Sequence, residues 1–197
     1  MSVSERPGGR SARVREAVFA ATLSGLSERG YASLTVEDVA ERAGVHKTTI
    51  YRRWGTLAQL VAEAVVDLSE TTVPVPDTGA LESDLHEMAR SIVALVTSES
   101  GRAIVAALFS DAVRTPEVAA IKREFYAGRY ALADVVVQRA VGRGEIQQNV
   151  SAADLLAAIA APIYYRLLVA DLPVDRAVAD RAAAAALVAA RAGVLNA

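Results

Sequence analysis

Apolar residues recur along this chain at spacings of three and four, and glycine or proline interrupts the pattern at intervals. Val18, Phe19, Thr22, Leu23 and Leu26 fall on one face of a helix that starts near Ser11. Gly25 lies on the same side, where glycine costs about 1 kcal/mol against alanine, so the spacing predicts close packing there. Gly30 follows as a C-cap. Thr35-Val-Glu-Asp38 has the form of a capping box and opens a short helix to Ala43. Gly44 stops it, a second short helix runs from Lys47 to Trp54, and Gly55-Thr56 introduces a longer one over 57–72. The VPVPDTG segment, residues 73–79, cannot continue a helix and reads as a linker.

Beyond it the helices lengthen, over about 80–97, 102–113, 116–141, 151–170 and 175–192. Thr115-Pro116 and Ser151 through Asp154 supply start signals, and Pro162 predicts a kink. No period-two alternation and no repeat is present. The pattern therefore predicts an all-α protein of about nine helices.

Composition agrees. Hydrophobic residues make up 53% of the 197 and aromatics only 5%, with alanine prominent, which favours helix over sheet and supports a buried core. There is no cysteine, which excludes disulfides, thiol catalysis and thiolate metal sites. The two histidines, His46 and His86, cannot by themselves build a metal centre, so no metal and no cofactor is expected. Net charge is −2 overall, but residues 1–60 carry +3 and the remainder −5, which points to an anionic partner for the front of the chain. No apolar run of roughly 18 residues stands out, and the MSVSERPGGR start has no apolar stretch beside its charges. The expectation is a soluble, cytoplasmic protein without a membrane role.

Residues 35–60 carry the most chemistry. Val39, Ala40, Ala43, Val45, Ile50 and Trp54 are placed to form a shared core of two short helices turned at Gly44. The second helix then presents His46, Lys47, Thr48, Thr49, Tyr51, Arg52 and Arg53 outward. A helix fits the major groove of double-stranded DNA, and cations, hydroxyls and a phenol can meet base edges and phosphates. Thr35, besides capping its helix, is placed to touch phosphate.

With those residues in place, the segment resembles the N-terminal helix-turn-helix domain of the TetR family of bacterial transcriptional repressors. The resemblance rests on Gly30-Tyr31, Thr35 to Ala40, Ala43-Gly44-Val45, Thr49-Ile50-Tyr51, Trp54 and Leu60, and covers about residues 14–60. One position departs: Leu57 stands where the family often has a phosphate-contacting lysine, which shifts the expected charge to Arg52 and Arg53. In the second half, Arg143-Gly-Glu-Ile146 and Ala161 through Leu168 are similar to one branch of the family. The resemblance implies a flexible arm at 1–10, a three-helix helix-turn-helix domain at 11–56, and a helical bundle for effector binding and dimerisation at 57–197, with helix 57–72 joining the two. It further implies a homodimer on a near-palindromic operator, released by a small-molecule effector that the sequence does not identify.

Candidates for the effector cavity are Met88, Phe109, Tyr126, Tyr130, Tyr164 and Tyr165, with His86 and Arg129 as polar partners. Small residues at Ala157, Ala161, Ala182, Ala186 and Ala190 would let two protomers approach closely, so the last two helices are expected to carry the dimer. Arg6, Arg10 and Arg13 are candidates for a minor-groove contact. Two other function classes compete. An enzyme is disfavoured because no nucleophile–base–acid set, phosphate loop or metal motif is present. A helical ligand-binding or scaffold protein that has lost DNA binding is the alternative, and the intact Lys47–Arg53 face argues against it.

Overall fold

The computed structural model describes residues 9–110 and 115–197, so most of the expected arm at 1–10 lies outside the described residues, as does the end expected for helix 102–113. Nine α-helices follow in order: α1 Gly9–Arg29, α2 Val36–Ala43, α3 Lys47–Trp54, α4 Leu57–Thr72, α5 Leu81–Thr97, α6 Glu99–Ser110, α7 Pro116–Gly142, α8 Ala152–Tyr164 and α9 Arg176–Arg191. A 3₁₀ turn at Tyr31–Ser33 precedes α2, and a π-helical stretch at Tyr165–Val169 continues α8. Among the described residues there is no strand, only one isolated bridge between Val150 and Asn196. The chain is all-α, as its patterning requires.

The helix starts follow local chemistry. Thr35 Oγ1 accepts the Asp38 N–H at 3.1 Å, and Asp38 Oδ2 accepts the Thr35 N–H at 3.1 Å, completing the capping box. Ser151 and Asp175 accept the N–H of Asp154 and Val178 at the starts of α8 and α9. Gly44 ends α2 with φ 64, a left-handed conformation that admits glycine without a Cβ clash. Gly25 has the packing reason that its sequence position implies: a Cβ there would stand 2.6 Å from Leu34 Cδ1.

The chain divides into two compact units. The first runs through Asp67 and takes in Arg102–Arg123; the second comprises Leu68–Gly101 and Glu124–Ala197. The first unit is thus larger than the three-helix domain expected at 11–56, because the apolar faces of early α4, α6 and early α7 pack with it. Leu26, Val61, Ile104 and Ile121 are among the side chains lining a small, partly open apolar pocket in this unit. Its core is built from Val18, Phe19, Val39, Ile50, Trp54 and Leu60, all at most 4% exposed. The Phe19 and Trp54 rings meet at 5.9 Å, and the Trp54 indole N–H donates to Glu63 Oε2 at 3.0 Å.

In the second unit α9 packs against α5 and α8. The linker is tied down rather than loose: Thr78 N–H and Oγ1 both donate to buried Asp84 Oδ1, at 2.7 and 2.6 Å, and Arg139 donates to the Pro76 carbonyl at 3.1 Å. After Pro162 the regular hydrogen-bond spacing gives way to the π-helical stretch, which is the form the expected irregularity takes. Residues Ala152–Val169 make 18 residues of mean hydropathy 1.5, long and apolar enough to cross a membrane by length and composition. This corrects the expectation that no run reaches that length; alanine-rich segments interrupted only by Asp154 and Arg166 escape notice by eye. Leu155, Ile159 and Ile163 of this stretch are fully buried in the protein's own core.

Truncating Ile50, which is 1% exposed, to alanine should cost about 2–5 kcal/mol in urea unfolding. A loss below about 1 kcal/mol would show that α3 is not closed onto this core.

Candidate nucleic-acid interface

The exposed side of α3 is set by its buried side. Ile50 and Trp54, four apart, point into the core, so His46, Lys47, Thr48, Tyr51, Arg52 and Arg53 are exposed and Thr49 is half-buried. Tyr51 is 47% exposed, unusual for a residue whose ring the core could have used. His46 is the N-cap of α3 without a side-chain cap bond, and its Nδ1 stands 3.2 Å from Thr48 Oγ1. No carboxylate occupies the first turn of α3, so its amide dipoles stay open to an anion.

The cations on this face are held differently. Lys47 Nζ lies 3.0 Å from Glu37 Oε1 on α2, which raises the lysine's pKa and lowers the glutamate's. Arg53 donates to the Ser11 carbonyl and hydroxyl at 3.2 and 3.1 Å, and its guanidinium lies 5.1 Å from the Trp54 ring centroid. Arg52 has no ion pair among the described residues. Thr35 is exposed at the start of α2, with its hydroxyl engaged by Asp38. The first turn of α4 is capped by Thr56, which accepts the Gln59 N–H at 3.2 Å, while Leu57 is half-buried. All eight residues expected to meet DNA therefore lie on α3 or at helix starts of the first unit.

Two ion pairs fix α2 on α1. Arg42 grips Glu28 through both guanidinium nitrogens at 2.8 and 2.6 Å, and Arg29 pairs with Asp38 at 2.8 Å. The Arg42 hydrogen bond, helped by Ser24, pushes the Glu28 carboxyl from an ordinary 4.5 down to about 2. Patterning did not reveal these pairs, nor Glu37 as the neighbour of Lys47, because ties between separate helices leave no periodic trace. The only local hint was Ser24 four residues before Glu28.

The effector candidates are scattered. Met88 is core, 4% exposed. Phe109 belongs to the first unit, with Lys122 Nζ 3.7 Å from its ring centroid. Tyr130 and Tyr165 are 39% and 59% exposed. Tyr126 and Tyr164 are hydrogen-bonded to each other, and burial pushes both hydroxyls up. His86 Nδ1 bonds the Glu82 carbonyl at 2.8 Å. The dimer candidates need correction. Ala182, Ala186 and Ala190 are at most 4% exposed, packed inside the chain's own second unit. Ala157 and Ala161 are exposed on α8, and the open side of α9 is instead Ala184, Ala185 and Val188.

Two short helices about a glycine turn, the second offering hydroxyls and cations, with a larger helical unit following, define a helix-turn-helix DNA-binding regulator. Residues 18–64 match the family described as bacterial regulatory proteins, tetR family, and residues 75–186 match the tetracyclin repressor-like C-terminal domain. The HTH-type transcriptional regulator AqdR of Rhodococcus erythropolis is 33% identical over 145 residues, 74% of this chain and 70% of its own. The DNA-binding transcriptional repressor TetR of Mycobacteroides abscessus is 32% identical over 136 residues, 66% of this chain and 68% of its own. The crystal structure of the TetR family transcription regulator SCO0332 superposes with a TM-score of 0.73 at 32% identity, covering 89% of this chain and 97% of that one. The chain belongs to the TetR family: it is a DNA-binding transcriptional regulator and not an enzyme.

The Glu28 shift has a testable sign. A carboxyl whose folded pKa is lowered adds stability above its ordinary value and loses it as pH falls through the folded value. Melting temperature should fall between about pH 5 and 2, and Glu28→Gln should flatten that fall. Identical profiles for the two proteins would contradict the role given to the Arg42 pair.

Proposed function

We propose that this regulator is a cytoplasmic repressor that binds a near-palindromic operator as a homodimer and leaves it when a small effector binds the second unit. The observation that carries the reading is the exposed α3 face, where Lys47, Thr48, Tyr51 and Arg52 stand clear of the core that positions them. His46, Lys47, Thr48, Thr49 and Tyr51 read base edges; Arg52, Arg53 and the start of α2 at Thr35 meet phosphates. Two copies of α3 would enter successive major grooves about 34–36 Å apart. The exposed small and apolar side chains of α8 and α9 (Ala157, Ala161, Ala184, Ala185 and Val188) supply the dimer surface, through which helices can approach closely. An effector that prefers a state with a different α3 spacing lowers operator affinity, and by linkage operator DNA lowers effector affinity equally.

Binding to the DNA flanking the protein's own gene tests the reading, with random DNA as competitor at about 50 and 200 mM salt. With six to ten phosphate contacts, affinity should fall by about 10³–10⁵ between those salts yet survive competitor at the lower one. Binding that random DNA removes equally would favour a protein that has lost specific recognition.

Lys47→Ala and Tyr51→Ala should each weaken operator binding by about 1–3 kcal/mol, measured by fluorescence anisotropy. Arg52→Ala should reduce the slope of log affinity against log salt by about one. Unchanged affinity in both Lys47→Ala and Tyr51→Ala would refute the assignment of α3 as the reading helix.

A further inference from the structure

Arg129, like Arg166 with its bond to the Pro173 carbonyl, differs from the arginines of the second unit that hold carboxylates. Arg90 pairs with Asp180 at 2.7 Å, Arg139 with Asp77 at 3.5 Å, and Arg143 with Asp84 and Glu145. Arg129 is half-buried on α7, and among the described residues no carboxylate lies within ion-pair distance of it. Glu70 acts on it only through space. Among the described residues, its hydrogen bond runs from Nη1 to the Val73 carbonyl at 3.1 Å. Burial pulls its pKa below the ordinary guanidinium value, while the nearby Tyr164 opposes that shift.

The surroundings are aromatic. One turn earlier on α7, Tyr126 donates its hydroxyl hydrogen bond to the Tyr164 oxygen. The Tyr126 and Tyr130 rings lie 6.1 Å apart at 33°, and Phe125 meets Tyr126 edge-on at 5.2 Å. A guanidinium has five N–H donors in a planar fork, and among the described residues only one of these is used. Withdrawing a cation from water without a paired anion is costly, and a carboxylate met in such surroundings binds more strongly than at an open surface.

We propose that Arg129 anchors the carboxylate of a small aromatic or alkyl acid, whose apolar body lies against Tyr126 and Tyr164. This assignment rests on the effector reading of the second unit and names the ligand class: an organic monoanion. The carboxylate takes the free edge of the guanidinium fork, so the acid binds and its neutral amide does not.

The test is calorimetric titration of the full-length protein with benzoate, salicylate and decanoate, each beside its amide. At least one acid should bind about tenfold or more tightly than its amide. Arg129→Gln should abolish that preference, and Arg129→Lys, which keeps charge but not the fork, should restore part of it. Equal binding of acid and amide, a preference that survives Arg129→Gln, or silence from all three acids overturns the proposal. Melting curves check that the variants fold; if Arg129→Gln does not, Arg129→Lys decides, since affinity equal to the parent's would overturn the fork. Operator binding on the same samples separates the two readings. An acid that binds through Arg129 but leaves the DNA complex intact removes the effector role and keeps the site. An amide that releases DNA keeps the effector role and removes the site.

Discussion

Helices of eight residues do not persist in water, because nucleating a turn costs more than so few hydrogen bonds return. Both α2 and α3 are eight residues long, so their existence depends on tertiary contact. Burial of Val39, Ile50 and Trp54 in the core shared with Phe19 and Leu60 supplies it. Everything exposed on α3 follows from that burial. Once Ile50 and Trp54 point inward, the rotation of the helix is fixed and Tyr51 and Arg52 have no course but outward. The exposed face of α3 is thus the complement of its core.

The surface ties add orientation rather than bulk stability. Exposed ion pairs are worth only about 0–1 kcal/mol each, far less than the apolar burial beneath them. The Arg42–Glu28 fork and the Arg29–Asp38 pair nonetheless limit how α2 can tilt on α1, and α3 is carried with α2 through the Gly44 turn. In the second unit the same division holds: α9 buries an alanine stripe against α5 and α8, while arginines of α7 and its end pin the linker between α4 and α5.

Much of this was legible from residue order. The capping box at Thr35, the stop at Gly44, the start signal at Ser151, and the inward set Val39, Ile50 and Trp54 are local or periodic signals, and the structure has them where the sequence puts them. What stayed hidden depends on which helices become neighbours. Ala182, Ala186 and Ala190 read as a close-approach stripe, which they are, but the helices they approach belong to the same chain. Periodicity identifies a face and not its occupant. The effector candidates were no easier: Met88 and the aromatic residues, spread over α5 to α8, share a composition and not a place, and Met88 and Phe109 lie in different units. Arg129 could be named as a candidate, yet its lack of an acid partner is a property of the packed unit alone.

The contact between Lys47 and Glu37 has a consequence for how DNA affinity responds to ions. A free lysine that docks on phosphate displaces a condensed cation from the duplex, and the salt dependence counts that release. Lys47 already has a counterion in the Glu37 carboxylate of the same chain. Were Lys47 to turn to a phosphate, Glu37 would be left beside the duplex, where it could recruit a cation from solution and offset part of the release. A census of phosphate contacts taken from salt titration would then come out smaller than the number of basic side chains that touch the backbone.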